Sequence, residues 1–351
     1  GIFLKMNKAL NLIGLNKLHI SSIQLFKLNF FIVLCALSFL VACVNGSISI
    51  NLADIFSGEI SDLTKIVLIE IRLPRVILAA LVGASLGISG AALQGLFRNP
   101  LADPGLIGVS AGAALGATLV IVLGSNFLSG FMLGSFLLPL GAISGAMLVI
   151  MMLYMLTKGF GYQGVTYMLL VGIAVNAIAG VGIGILTFIS TDSELRGLTF
   201  WTMGSFGGVT WPLLIPAIII ILISVTSMMT VSRNLDLIQL GEPEAYRLGV
   251  DVKKLKYKVI ISCAAAVGAS VSLSGMIGFV GLVVPHLVRL FGGVNHNYLL
   301  PGSAFVGAAL MITADMVSRT MIQPAELPVG LITSAIGSPF FLWLIFRIKR
   351  S

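Results

Sequence analysis

Residues 79–90 read AALVGASLGISG, and residues 264–275 read AAAVGASVSLSG. The two segments are identical at eight of twelve positions without a gap. Both consist largely of small residues, which allow helices to approach closely inside a membrane. The pair predicts a chain built from two related halves. The alternative interpretation is that Ala, Gly and Ser recur by chance in any membrane protein.

The composition around these segments is that of an integral membrane protein. Of the 351 residues, 58% are hydrophobic and 10% are charged, and the mean hydropathy is +1.08. A helix that spans a bilayer needs about 20 apolar residues, so the composition allows on the order of ten spans. The uncharged runs are long and do not alternate in polarity, which argues against an outer-membrane barrel. We therefore predict an all-α, polytopic fold.

The distribution of charge predicts the topology. The apolar run 259–288 makes one span or two, and a turn at 272–275 would raise the total from nine to ten. Basic residues at both chain ends place both ends in the cytoplasm, which requires an even number of spans. Ten spans put 16 of the 21 Lys and Arg residues on the cytoplasmic side. We predict a cytoplasmic segment at 1–27, one ten-helix domain at 28–347 and a cytoplasmic loop at 233–258.

The seventh and eighth spans then share only the residues from Lys256 to Leu290, roughly 52 Å of helix, so they are predicted to be short or interrupted. The repeat copies open the second and seventh spans and should run in opposite directions. Inverted repeats are typical of transporters, whose substrate path lies between the halves. Gly83 and Gly268, one from each copy, are therefore predicted to lie beside the path. Asn176, a polar residue within the fifth span, either lines the path or bridges helices.

The sequence also indicates what does not drive transport. An ion-coupled carrier needs ionisable groups near the bilayer midplane, but the acids fall in loops or near span ends. Asp315 is the deepest, and it is four residues from Arg319, so an ion pair and a proton site are both open for it. No GxxxxGK[ST] phosphate loop is present. The chain is therefore predicted not to be an enzyme, with energy supplied by another subunit. An ion-driven carrier and a passive channel are the rival hypotheses.

Two loops are candidates for contact with partners or cargo. Residues 241–250, GEPEAYRLGV, predict a short cytoplasmic helix with Pro243 in its first turn and Gly249 at its end; a solvated connector is the alternative. The outer loop 190–211 predicts a short helix at the entry. Its Trp201 and Met203 suit a large, partly apolar cargo, or form an interfacial aromatic belt.

Neither metal nor cofactor is predicted. The three histidines are not at i, i+4 spacing, and the three cysteines are interpreted as packing residues. They are His19, His286, His296, Cys35, Cys43 and Cys263. The net charge of +8 is attributed to membrane orientation, not to nucleic-acid binding.

Several long motifs, in order, resemble the permease of the iron-chelate, haem and cobalamin uptake ABC transporters, which are type II importers. They are RLPR (72–75), ISGAALQGLFRNPLADPGLIGVSAGAALGA (88–117), GEPEAYRLGV (241–250), SGMIGFVGLVVPHLVRL (274–290), LPG (300–302) and AELPVG (325–330). The resemblance implies a multi-pass homodimer in the bacterial inner membrane, surrounded by membrane lipid. It also implies two cytoplasmic ABC ATPase subunits and a periplasmic substrate-binding protein as partners.

The resemblance also assigns roles to residues. Three arginines match those that dock the binding protein, with snorkelling to lipid headgroups as the alternative: Arg72, Arg75 and Arg319. Four residues match the loop seated in the ATPase: Glu242, Glu244, Arg247 and Gly249. The segment 192–205 favours haem or a ferric siderophore as the cargo, with cobalamin as the alternative.

Overall fold

The computed structural model describes residues 20–46, 61–127, 134–157, 164–322 and 325–350. Within these ranges the chain is helical and has no strand, so the predicted all-α fold is confirmed. The helices are α1 Ser22–Val44, α2 Asp62–Phe97, α3 Val109–Phe127, α4 Leu137–Thr157, α5 Gly164–Ile189, α6 Asp192–Met203, α7 Trp211–Met229, α8 Ser232–Ile238, α9 Glu242–Arg247, α10 Val252–Ser274, α11 Val280–Gly292, α12 His296–Thr320 and α13 Val329–Arg350.

Three helices form the centre of the bundle. In α2, α10 and α12, between 61% and 78% of the apolar stretch is buried, against 17–28% in α1, α4, α5 and α7. The second group therefore presents large apolar side chains outward, as helices that face lipid do. α2 lies at the centre of the bundle, where it packs against α7, α10, α11 and α12.

The helix lengths agree with the predicted spans. Within the described residues, seven helices are long and apolar enough to cross a membrane, and three apolar helices are shorter. α11, one of the short ones, has 13 residues and a length of about 20 Å. α10 ends at Ser274 because Gly275 adopts φ +71°. A break between the two helices is present, but it begins at Gly275, and residues 272–274, predicted as part of the turn, are helical. The short helix α11 agrees with the predicted shortening, while the number of helices that cross stays a prediction.

The two repeat copies lie on antiparallel helices. In the loop 204–208, a Cβ atom added to Gly207 would lie 3.7 Å from Arg75 Nη1 early in α2, and the Ser205 amide donates a hydrogen bond to the Ser274 carbonyl at the end of α10. At the other end, Gln239, in the segment that leads into α10, donates a 2.7 Å hydrogen bond to the Gly95 carbonyl late in α2. The opposite directions predicted for the copies are therefore present. We call the two ends of the bundle the arginine end, at Arg75, and the loop end, at Gln239.

The contact between α2 and α12 is made by backbone. A Cβ atom on Gly83 would lie 2.1 Å from the carbonyl oxygen of Gly307, and one on Gly87 would lie 2.3 Å from that of Ser303. No side chain fits between such surfaces, so glycine sets the distance between the helix axes. The small residues of the first repeat copy thus build the centre of the fold.

The first described helix begins before the predicted start of the domain. α1 begins at Ser22, six residues before the predicted start of the domain, and residues 1–19 lie outside the described part. Ser21 starts the helix by accepting a hydrogen bond from the Gln24 backbone amide.

Candidate functional site

The arginine end contains a buried charge cluster. The Arg75 Nη2 atom lies 2.9 Å from Asp315 Oδ1 on α12, and its Nη1 atom lies 2.8 Å from Glu326 Oε2 in the segment before α13. Asp315 is 1% exposed, whereas the Glu326 side chain is 47% exposed. Arg319 Nε lies 3.1 Å from the other Asp315 oxygen. The local Asp315–Arg319 ion pair considered from sequence is therefore present, but Asp315 also pairs with a helix far away in sequence.

Arg72 and Arg319 cap the end of α1. Arg72 Nη1 donates to the carbonyls of Cys43 and Val44 at 3.2 and 2.9 Å, and the Arg319 guanidinium donates to those of Ala42 and Asn45 at 3.3 Å. The last turn of α1 has no basic residue of its own. The guanidinium groups of Arg72 on α2 and Arg319 on α12 therefore cap the C-terminus of α1, where the helix dipole favours positive charge.

These contacts change the interpretation of the predicted docking residues. Arg72, Arg75 and Arg319 are 4%, 7% and 8% exposed, and their guanidinium groups are engaged within the chain. Lipid snorkelling is wrong for these arginines, because buried side chains do not reach the headgroups. Docking to a partner stays a prediction, and nearby exposed charges such as Arg196 and Glu326 are more accessible.

The predicted helix at the loop end is α9. Pro243 lies in its first turn, and Gly249 after it adopts φ +88°. Glu244, Arg247 and Gly249 are exposed, as is Tyr246 at 63%. An exposed tyrosine among exposed charges on a short, well-defined helix is typical of a contact surface. We call residues 242–249 the coupling surface.

Glu242 is the residue that fixes this surface to the bundle. Its carboxylate lies 2.9 Å from Lys256 Nζ, and Lys256, in the first part of α10, is 3% exposed. Asp251 caps the N-terminus of α10, and hydrogen bonds from the Lys254 backbone and side chain lower the pKa of Asp251. Three of the four predicted coupling residues thus face outward, and the fourth anchors α9 to α10.

The predicted entry helix is α6, and its end is anchored at two points. The Val329 amide at the start of α13 donates to the Gly204 carbonyl, 3.0 Å, and the Ser205 amide donates to the Ser274 carbonyl, 2.8 Å. Trp201 and Met203 are half-buried just before this junction. α6 therefore joins the ends of α10 and α13 at the arginine end.

The other predicted path residues do not form one site. Asn176 on α5 donates a long hydrogen bond, 3.4 Å, to the carbonyl of Gly105 and is half-buried. Gly83 is sealed against α12, whereas the nearest atom to a Cβ on Gly268 would be the Ala146 Cβ of α4, at 2.9 Å. The two repeat glycines thus face different helices. Their role beside a path remains a prediction.

The described histidines and cysteines have structural surroundings. His296 Nδ1 lies 2.6 Å from Asp236 Oδ1, and the ring of His286 packs at 5.8 Å against Phe340. Cys35, Cys43 and Cys263 are free thiols. In the ranges that the structure describes, no group of three or more His, Cys, Asp or Glu residues could hold a metal ion.

Two contacts of the candidate site were not predicted from the sequence. Glu326 was named only as part of a motif, and Lys256 only as the first residue shared by the seventh and eighth spans. A pattern does mark Lys256, because it falls on the otherwise apolar face Val252–Val259 of α10 and needs a partner when buried. For Glu326 no comparable signal exists, because its distance from Arg75 is fixed by the tertiary fold.

Comparison with known proteins agrees with this architecture. Residues 33–347 match the FecCD transport family. The chain is 43% identical over 323 residues to the hemin transport system permease protein HmuU of Yersinia pestis, covering 92% of this chain and 96% of that protein. It is 38% identical over 320 residues to the vitamin B12 import system permease protein BtuC of Shigella boydii serotype 18, covering 91% and 94%.

A solved structure is also similar over almost the whole fold. It is described as a metal-chelate type ABC transporter in an inward-facing conformation, and it superposes with a TM-score of 0.80 at 33% identity. The match covers 91% of this chain and 98% of that chain. The sequence match, the relatives and the fold all lead to one assignment: this chain belongs to the FecCD transport family.

Proposed function

We propose that this chain is the membrane-spanning subunit of an importer that brings an iron chelate, with haem as the first candidate, from the periplasm to the cytoplasm. Membership of the family makes it an ABC importer permease of the inner membrane. The finer parts of the proposal are the cargo, the contacts with partner subunits and the homodimer.

The coupling surface is the observation that supports an external energy source most directly. It lies at the end of the bundle rich in lysine, which the positive-inside rule assigns to the cytoplasm. Its side chains project from a helix that is itself tied to the buried Lys256. A partner ATPase that moves on this surface would therefore move α10.

α10 offers a continuous mechanical connection to the other end. It is 23 residues long, about 34 Å, and 72% of its apolar stretch is buried. Its last residue, Ser274, accepts the hydrogen bond from Ser205 after α6. We infer that displacement of α9 reaches α6 through α10, and that Trp201 and Met203 at the end of α6 border the entry for cargo. This arrangement suits alternating access between the two ends.

Glu244→Lys tests the coupling step. It reverses an exposed charge in the coupling surface and leaves the Glu242–Lys256 pair intact. We expect normal insertion, with loss of ATPase association and of cargo-stimulated ATP hydrolysis. Glu70→Lys, an exposed charge reversal at the opposite end of the bundle, serves as the control for insertion and ATPase association. Wild-type association and hydrolysis in Glu244→Lys would show that 241–250 is a plain connector.

Haem is preferred over cobalamin because of the hemin relative, while the vitamin B12 relatives keep cobalamin as a second candidate. The experiment is uptake into vesicles that contain this chain, its ATPase and its binding protein. We expect ATP-dependent accumulation of haem that exceeds that of a ferric siderophore or cobalamin. Uptake of cobalamin alone would reverse the assignment, and uptake that survives ATP depletion would favour a channel.

The homodimer is proposed from the exposed apolar face of α5. Ile173, Ile178, Val181 and Ile185 on it are 59–65% exposed. On the same helix, a Cβ atom added to Gly180 or Gly184 would meet no atom within 4 Å. Large apolar groups beside uncovered glycines suit close packing against another helix. Cysteine cross-linking between copies at Ile178 would test this; absence of a cross-linked dimer in membranes would argue against it.

A further inference from the structure

A long apolar groove runs along the outside of the bundle between α4 and α7, with α10 as its floor. Its volume is about 750 Å³. Small residues form the floor, namely Ala265, Gly268 and Ala269, and exposed side chains of α4 such as Met147 and Met151 form one wall. The groove exists because α7 packs mainly on α10 and α2, which leaves a gap toward α4.

One end of the groove is positively charged. Lys254, Lys258, Ile261, Ala265 and Gly268 follow one another at spacings of three and four residues, so they share one face of α10. The floor of the groove therefore continues directly into two exposed lysines. Lys258 precedes Ile261 by about 4.5 Å along the helix axis.

The side chains at this end connect α10 to both neighbouring helices and leave Lys254 exposed. The Lys258 Nζ atom donates to Thr230 Oγ1 at the end of α7, 2.7 Å away. The ring of Tyr154 on α4 packs edge-on against Tyr257, with centroids 5.5 Å apart. Lys254 also lies 3.1 Å from Asp251, but its side chain is 86% exposed and remains accessible.

We propose that this groove binds an anionic phospholipid, with an acyl chain along α10 and the phosphate headgroup at Lys254 and Lys258. An apolar groove at membrane depth that ends in cations matches the two parts of such a lipid, and lysines at that end face the leaflet that attracts them. A second copy of the chain would not explain paired lysines at the apolar mouth. The inference is independent of the cargo and of the ATPase.

Native mass spectrometry of the full chain, delipidated in neutral detergent, tests the proposal. The probes are dioleoyl phosphatidylglycerol and dioleoyl phosphatidylcholine, which differ only in headgroup. We expect tighter binding of phosphatidylglycerol. The double variant Lys254→Ala, Lys258→Ala should lower that affinity about 25-fold, since one lysine at an anionic surface contributes about fivefold. Lys253→Ala, about 100° around the helix from Lys254, should lower the affinity less than Lys254→Ala alone or Lys258→Ala alone.

Filling the groove with a larger side chain tests whether an acyl chain binds along α10. Ala265→Phe should reduce binding of both lipids at least tenfold, whereas Ala36→Phe on the exposed face of α1 should not. If Ala265→Phe fails to fold, Met147→Trp blocks the groove from α4. Equal binding of the two lipids by the wild type, or unchanged binding in the filled variants, would overturn the proposal. A filled variant that loses dimer but keeps lipid would also overturn it, because the groove would then belong to a second copy.

Discussion

Replacing Gly83 by alanine tests whether backbone contact at the centre of the bundle determines stability. The added Cβ would lie 2.1 Å from the Gly307 carbonyl oxygen, and atoms of this kind do not approach closer than 3.0 Å. α2 and α12 must therefore separate locally by about 1 Å. Overpacking of this kind costs typically about 1–3 kcal/mol, and alanine returns about 1 kcal/mol in helix propensity. The difference is a net loss of about 0–2 kcal/mol in the free energy of unfolding. Because backbone atoms must move, we expect the upper value, about 2 kcal/mol.

The assay is thermal unfolding of the protein purified in detergent, with Gly197→Ala on α6 as the matched control. A Cβ on Gly197 would meet only Ile121 Cγ2, at the ordinary contact distance of 3.5 Å, so that variant should be as stable as the wild type or more stable. Gly307→Ala, the reciprocal change, meets the Gly83 carbonyl at 2.2 Å and should resemble Gly83→Ala. If Gly83→Ala unfolded at the wild-type temperature, the close backbone packing would be refuted.

The same geometry predicts that Gly83→Leu lowers folded yield in step with uptake, which favours a fixed helix contact over a moving path. Asp315→Asn removes the buried counterion of Arg75; we expect a loss of about 3–5 kcal/mol in stability, and only about 0–1 kcal/mol for half-exposed Glu326→Gln, by thermal unfolding. Arg196→Glu should weaken association with the binding protein more at low salt than at high salt. If the variant and the wild type bound that protein equally well, Arg196 would not take part in docking. Gly249→Val, at φ +88°, should strain the coupling surface by about 1–3 kcal/mol and reduce ATPase association in a pull-down.

Properties that depend on one segment of sequence were predictable. The turn after Ser274 follows from a glycine in a stretch too short for two full spans, and α9 follows from a proline in its first turn and a glycine just after its end. These signals act within a turn or two of helix. Charge at the ends of the apolar runs likewise predicts which ends of the helices share a side of the membrane.

Properties that depend on tertiary distance were not predictable. Arg75 and Asp315 are 240 residues apart, and nothing in either segment indicates that they pair. An arginine at a span end has the same local pattern whether it meets lipid, a partner protein or a buried acid. The sequence does not show whether the guanidinium groups of these arginines are exposed, and only the packing of α1, α2 and α12 shows that they are buried. Their docking role stays a prediction.

The arginine cluster and the Lys256–Glu242 ion pair hold different helices together. The arginine cluster ties α2 to α12 and to the segment before α13, and α10 contributes no residue to it. At that end α10 is held through the backbone hydrogen bond of Ser274 and the close contact of Gly275 with Trp201. At the loop end α10 is joined to α9 by the Lys256–Glu242 ion pair, which is costly to separate because it would leave a buried charge. Movement of α9 should therefore be transmitted along α10 to its junction with α6, while the arginine cluster holds α2, α12 and the segment before α13 together.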